Sequence, residues 1–412
     1  MNGPRKFAVS LIAACWAGHA VAQDVVAPPL EVEAASFVPA ALMKGEAYEV
    51  QPQAVNDGYL NRYRLETPWG EVDAYGNYRL RARIQEIQAL QTLDAMSRAG
   101  VFGESLKNGV LAPVEVVVDL VTDPINTVSG AVEGVGRWFG NIASSLGSSD
   151  PHQEGALSAA VGWAGTKRAY AVELGVDPYT DWEPLQEALA SVGRAAFAGG
   201  ITAKAAMGVA TEGTVVATPV TALNLTDASR KRLIDDPPER LAATNRADLA
   251  KLGLSDELID PFLDNYNYSP MEKLLLVEAL KRMEGADGLE IYLAHATAAP
   301  DKRVARYMQE RAEMMARFHR QISPASIIRT VETPLQRTRD GRVVGVFPFD
   351  YVPWTADLAT ILGAITADVD GLEGVSGKQL WFEGVVSPDT REAMEAYGWT
   401  VKEQVKLLLG DA

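Results

Sequence analysis

The chain has 412 residues, 47% of them hydrophobic, enough to bury more than one core, and it is acidic, with a formal net charge of −16. An acidic surface repels nucleic acid and anionic lipid over most of its area, so no nucleic-acid partner is expected. The single cysteine, Cys15, excludes an intrachain disulfide and every zinc or iron-sulfur site built on several cysteines.

Arg5 and Lys6 precede the apolar run Phe7 to Ala17, and the small residues Ala20-Val21-Ala22 close it, which is the layout of a secretory signal peptide. The run is far shorter than the roughly 20 residues that cross a bilayer. Cleavage is expected after Ala22, leaving about 390 cysteine-free residues in the periplasm or secreted. Loss of Arg5 and Lys6 takes the formal charge from −16 to −18. Ile12-Ala13-Ala14-Cys15 offers a second reading as a lipobox, with Cys15 lipid-modified. No transmembrane helix is expected in the mature chain, where apolar runs stay under about 18 residues.

Residues 23–58 are rich in Ala, Val and Pro with little periodicity and read as an extended lead-in. Tyr59 to Leu65 then alternates at period two, Pro68-Trp69-Gly70 supplies a turn, and Glu71 to Tyr75 returns as a second strand, which predicts a hairpin. After Gly76-Asn77, the residues Leu80, Ile84, Ile87, Leu90, Leu93 and Met96 recur at helical spacing and form one apolar stripe. A Val- and Gly-rich segment, 107–147, follows as two short amphipathic elements broken at Asp123-Pro124. Its face Val132, Val135, Trp138 and Phe139 suits either the protein's own core or peripheral contact with a bilayer interface, where the near-absence of cations favours the core. Ser144 to Pro151 reads as a linker.

From Gly155 to Met283 the pattern is helical. Thr180 to Glu183 and Ser269 to Glu272 match the capping box, Ser255 is a plain N-cap, and Ile201 to Ala222 is either a packed helix or an apolar connection. A helix from Lys302 to Gln321 leads to antiparallel strands around Asp340-Gly341, and a helix near Thr355 to Ala367 precedes a strand-helix-strand unit over 379–405. The predicted fold is α+β and predominantly helical. It comprises an N-terminal hairpin-helix unit (59–147), a helical domain (155–284) and a C-terminal α+β domain (285–412) whose small mixed sheet carries helices on one face.

Chemistry-bearing motifs are scarce. The mature chain holds three histidines, His152, His295 and His319, in no metal-binding spacing, and His295 with Glu290 or Asp301 reads as a structural histidine rather than a metal ligand. There is no nucleophile elbow, Walker A loop or dinucleotide fingerprint, so no cofactor is expected, and an acid-pair hydrolase has no locatable pair. Between Lys302 and Arg342, ten Lys/Arg meet four acids, which reads either as arginines paired with acidic neighbours or as an anion-binding face. The aromatics Phe349, Tyr351 and Trp354 follow at once, and a second aromatic cluster, Tyr266 and Tyr268, lies ahead of the helix at Ser269. The reading is an exported, non-enzymatic envelope protein. Its expected ligand site joins Arg337, Arg339 and Arg342 to Phe349, Tyr351 and Trp354, and its partner is an envelope protein or an anionic, aromatic-stacking ligand. Peripheral membrane docking through 107–147 and an unlocated hydrolase site are the alternatives.

Overall fold

The computed structural model describes residues 25–98, 162–199, 202–203, 225–322 and 324–407. The leader with Cys15, the linker, His152 and the face Val132, Val135, Trp138 and Phe139 lie outside the described residues, as does nearly all of 201–222.

Six short strands, β1 (Leu30–Glu33), β2 (Lys44–Gly45), β3 (Tyr48–Val50), β4 (Gln53–Asn56), β5 (Asn61–Thr67) and β6 (Gly70–Tyr75), form an antiparallel sheet around β5, with a one-turn helix α1 (Ala40–Met43) between β1 and β2. Along β5, Asn61, Tyr63 and Leu65 are buried while Arg62, Arg64 and Glu66 turn outward, the half-buried alternation expected of this strand. β6 returns along one edge as the predicted hairpin, and β4 and β3 share the other edge. Residues 30–56, expected as an extended lead-in, thus belong to the sheet. Each of their strands is four residues or shorter, too brief to display period two, and β5 supplies the template that pairs them.

One face of this sheet is covered by α2 (Asn77–Arg98), α3 (Trp163–Glu173) and α4 (Glu183–Gly199). The stripe Leu80, Ile84, Ile87, Leu90, Leu93 and Met96 is buried throughout, as its spacing predicts. Tyr170, Leu185, Leu189 and Val192 close the same core, which therefore joins residues on both sides of the 107–147 segment.

A second body of helices follows: α5 (Asp227–Asp235), α6 (Pro238–Lys251), α7 (Asp256–Asp264), α8 (Pro270–Arg282), α9 (Leu289–Thr297) and α10 (Lys302–Ile322). Ser269 opens α8 with both bonds of the predicted capping box. Thr180 departs from expectation, because its hydroxyl is bonded to Glu86 of α2 at 2.8 Å.

The C-terminal sheet has the order β13-β11-β9-β8-β7, built from β7 (Ser326–Ile328), β8 (Leu335–Arg337), β9 (Arg342–Phe347), β11 (Gly377–Phe382) and β13 (Trp399–Lys402). β7, β8 and β9 are antiparallel through the Asp340-Gly341 turn, and β9, β11 and β13 are parallel. A parallel pair, β10 (Tyr351–Val352) with β12 (Val385–Val386), sits beside it, and α11 (Ala356–Asp370) and α12 (Pro388–Ala396) complete the unit. Helices cover both faces rather than the one expected: Val344 and Val346 of β9 face α9 and α10, whereas Val343 and Phe347 face α11 and α12. The continuous apolar run of β9 is the physical reason, since it leaves no polar face for solvent.

Candidate functional site

The six residues expected to form one ligand site are divided between the two ends of β9. Arg337, Arg339 and Arg342 surround the Asp340-Gly341 turn before the strand, and Phe349, Tyr351 and Trp354 follow its other end. A six-residue strand separates its ends by roughly 17 Å, so the structure does not bring the two groups together. Arg342 pairs with Asp340 at 2.9 Å and Arg337 donates to the Glu373 carbonyl at 2.5 Å, while Arg339 is exposed. Tyr351 packs on Phe37, with ring centroids 5.4 Å apart, and Trp354 is buried.

Phe349 alone of the six lines a cavity of about 210 Å³ between the C-terminal sheet, α11 and the incoming edges of both other units. Its floor is apolar and buried: Phe347, Leu380 and Phe382 from the sheet oppose Leu358, Leu362 and Ile365 from α11, with Met394 of α12 closing the end. The spacing of Leu358, Leu362 and Ile365 places them on one face of α11, whose start is capped by the Thr355 hydroxyl. At the half-buried rim stand Tyr59, His295, Tyr307 and Thr333, with the exposed Glu332 beside them. Tyr307 and Phe349 stack in parallel at 5.5 Å, and Phe349 stacks in turn on Phe347 at 5.3 Å.

Behind this rim lies Arg311 of α10, 1% exposed. Its guanidinium sits 4.7 Å over the Phe347 ring, donates to the carbonyls of Val346 and Pro334, and bonds the Thr333 hydroxyl. Among the described residues no carboxylate lies within ion-pair distance of it. His295 is held well below its ordinary value, at about 4, by burial and by the Arg311 charge, so it is a neutral imidazole at pH 7. Neither the His295 ring nor the Tyr307 hydroxyl makes a side-chain hydrogen bond among the described residues. Asp301, weighed as a ligand partner of His295, instead caps α10 by accepting from the Val304 N–H.

A second, charged interior region joins the N-terminal unit to the helices. Arg79, Arg83 and Glu86 of α2 meet Asp181, and Arg306 of α10 bridges Asp181 at 2.7 Å and Glu272 at 3.1 Å. Burial works to raise the Glu86 carboxyl, but Arg79, Arg83 and the Thr180 hydroxyl outweigh it and the net shift is downward. Asp177 and Glu310 are pushed up to about 7 and about 8, first by burial and then by the neighbouring carboxylates Glu272 and Asp350 respectively. Nearby, buried Asp350 accepts the Asn61 and Asn77 backbone N–H groups at 2.8 Å each, fixing β5 and the first residue of α2 to the C-terminal unit. The voids in the charged region measure about 40 and 10 Å³, room for a few water molecules at roughly 10–15 Å³ each and for no larger substrate. Among the described residues no group of three or more His, Cys, Asp or Glu is placed to hold a metal ion.

Of the ten Lys/Arg in this stretch, four pair with acids among the described residues: Arg303 with Asp57, Arg306 with Asp181 and Glu272, Arg317 with Glu313 and Arg342 with Asp340. Arg311 is the member the sequence pattern missed, because it looks like its neighbours on α10 and only the fold shows that it is buried with carbonyls and a hydroxyl for partners. No protein family, no curated protein and no solved structure matches this chain.

Proposed function

We propose that this chain is an exported envelope protein that binds a small apolar ligand in the cavity between the C-terminal sheet and α11. The observation that carries the reading is the cavity itself. Interiors are packed nearly as densely as organic crystals, and filling an apolar void of this size recovers up to about 24 cal/mol per Å³, on the order of 5 kcal/mol. A cavity of about 150 Å³ with Leu, Ile and Phe walls already takes a benzene ring, and this one offers about 210 Å³ with a half-buried rim through which a ligand enters. Export rests on the layout of the first 22 residues.

Calorimetric titration of the mature chain with ethylbenzene, a neutral apolar probe of a size that fits this volume, tests the binding role. The native protein should bind it saturably and one to one, and Leu362→Trp, which enters the cavity, should weaken it at least tenfold while the fold is kept. Equal affinity in the two proteins removes the cavity from the account. Cell fractionation tests the address, since recovery of the unprocessed chain in the cytoplasm contradicts export.

A further inference from the structure

Resting on the binding role just proposed, the structure allows the chemical class of the ligand to be named. The walls of the cavity are not uniform. On the floor, Phe347, Leu362 and Phe382 present only carbon. At the rim, three lining residues carry hydrogen-bond donors without a side-chain partner among the described residues: His295, Tyr307 and Tyr59, whose hydroxyl is buried. Behind them is the buried Arg311 cation, which touches the lining residues Thr333 and Phe347. Its charge acts on two of the three: burial and Arg311 together hold His295 down, and Arg311 opposes the upward push of burial and of Glu310 on Tyr307.

A buried cation compensated only by carbonyl and hydroxyl dipoles leaves a positive potential in the adjoining low-dielectric space. His295 and Tyr307 supply hydrogen bonds that a carboxylate accepts, and the Arg311 charge behind them repels an ammonium group. Acidic groups stand elsewhere on the rim. Glu332 is exposed, and with Asp357 and Asp57 it acts on Tyr59, whose hydroxyl is pushed up to about 12 chiefly by burial. The exposed Glu332 is thus the acidic side of the rim, and the buried Arg311 cation lies behind the other side.

We propose that the cavity binds a single-chain aliphatic carboxylate, its carboxylate at His295 and Tyr307 in front of Arg311 and its chain against Phe347, Leu362 and Phe382. The volume suits a chain of roughly six to eight carbons, by scaling from the cavity that takes one benzene ring.

The test is direct calorimetric titration with three probes of equal chain length: octanoate, 1-octanol and octylammonium, at pH 7.4 and fixed salt. Octanoate should bind at least tenfold more tightly than 1-octanol, a difference of about 1.4 kcal/mol, and octylammonium should be the weakest. In His295→Leu, which keeps the volume and removes a donor, the octanoate advantage should shrink while 1-octanol is unchanged. Equal binding of octanoate and 1-octanol overturns the carboxylate assignment and leaves the apolar site standing. Preference for octylammonium overturns it too and puts the acidic rim in control. Failure of all three, together with failure of ethylbenzene, overturns the binding role itself.

Discussion

Two interior regions of this molecule are incompletely filled, and they differ in what surrounds them. The space at Glu86, Asp177 and Glu310 is small and enclosed by charges that answer one another across α2, α8 and α10. The cavity at Phe347 and Leu362 is several times larger and walled by carbon. Buried charges in the first region constrain the approach of three elements and gain only what their pairing returns over desolvation. Apolar walls in the second impose no pairing, so a ligand that fills the space keeps nearly all of the burial energy. On the proposed reading the charged region is a joint and the apolar one a binding site.

Breaking the joint should cost most. Glu86→Ala removes the carboxylate between Arg79 and Arg83 and leaves buried guanidinium groups short of a partner, an expected loss of about 3–5 kcal/mol in urea unfolding. Asp350→Ala strips the acceptor from two buried backbone N–H groups, with an expected loss of about 3 kcal/mol. The same bulky residue should separate the two regions: Val176→Trp, beside the small charged void, should overpack and cost about 1–3 kcal/mol, whereas Leu362→Trp, entering existing space, should cost under about 1 kcal/mol. Paired thermal melts of these two variants measure the contrast.

A pH dependence is expected as well. Asp177 and Asp350 sit at about 7 and Glu310 at about 8 in the folded protein, against ordinary values of 3.8 and 4.5. Over that interval the folded state holds more protons than the unfolded chain, so stability falls as pH rises from about 4 to about 8. Glu86 and Asp181 are shifted downward, so their contribution is present above their ordinary values and lost as pH falls below them. Stability should therefore peak near pH 4, where the two sets cross, and above it the lowered His295 opposes the fall by one proton against three. A series of urea midpoints from pH 3 to pH 9 checks this, and Glu310→Gln should flatten the alkaline limb.

Much of the fold was legible. The stripe on α2, the β5–β6 hairpin, the Ser269 capping box and the Asp340-Gly341 turn are local patterns, and each sits where its spacing says. Strands β1 to β4 were not legible, because they owe their form to pairing with β5 rather than to their own alternation. The site was readable only in part. Phe349 was named from its aromatic neighbours, yet the arginines beside it in sequence lie at the other end of β9, and Arg311, Tyr307 and His295 are brought to the rim by two helices that no local motif connects to that strand. Charge density marks where arginines are, and only packing decides which of them lacks an acid.

The most direct test of the account is the change in melting temperature of the native chain and of Leu362→Trp on adding ethylbenzene at about 100 times its dissociation constant for the native chain. Binding to the folded state alone should stabilise the native chain by about 2.7 kcal/mol and Leu362→Trp, whose affinity is at least tenfold weaker, by about 1.4 kcal/mol or less. Equal shifts in both proteins, or none in the native chain, would contradict the claim that the apolar cavity is the binding site.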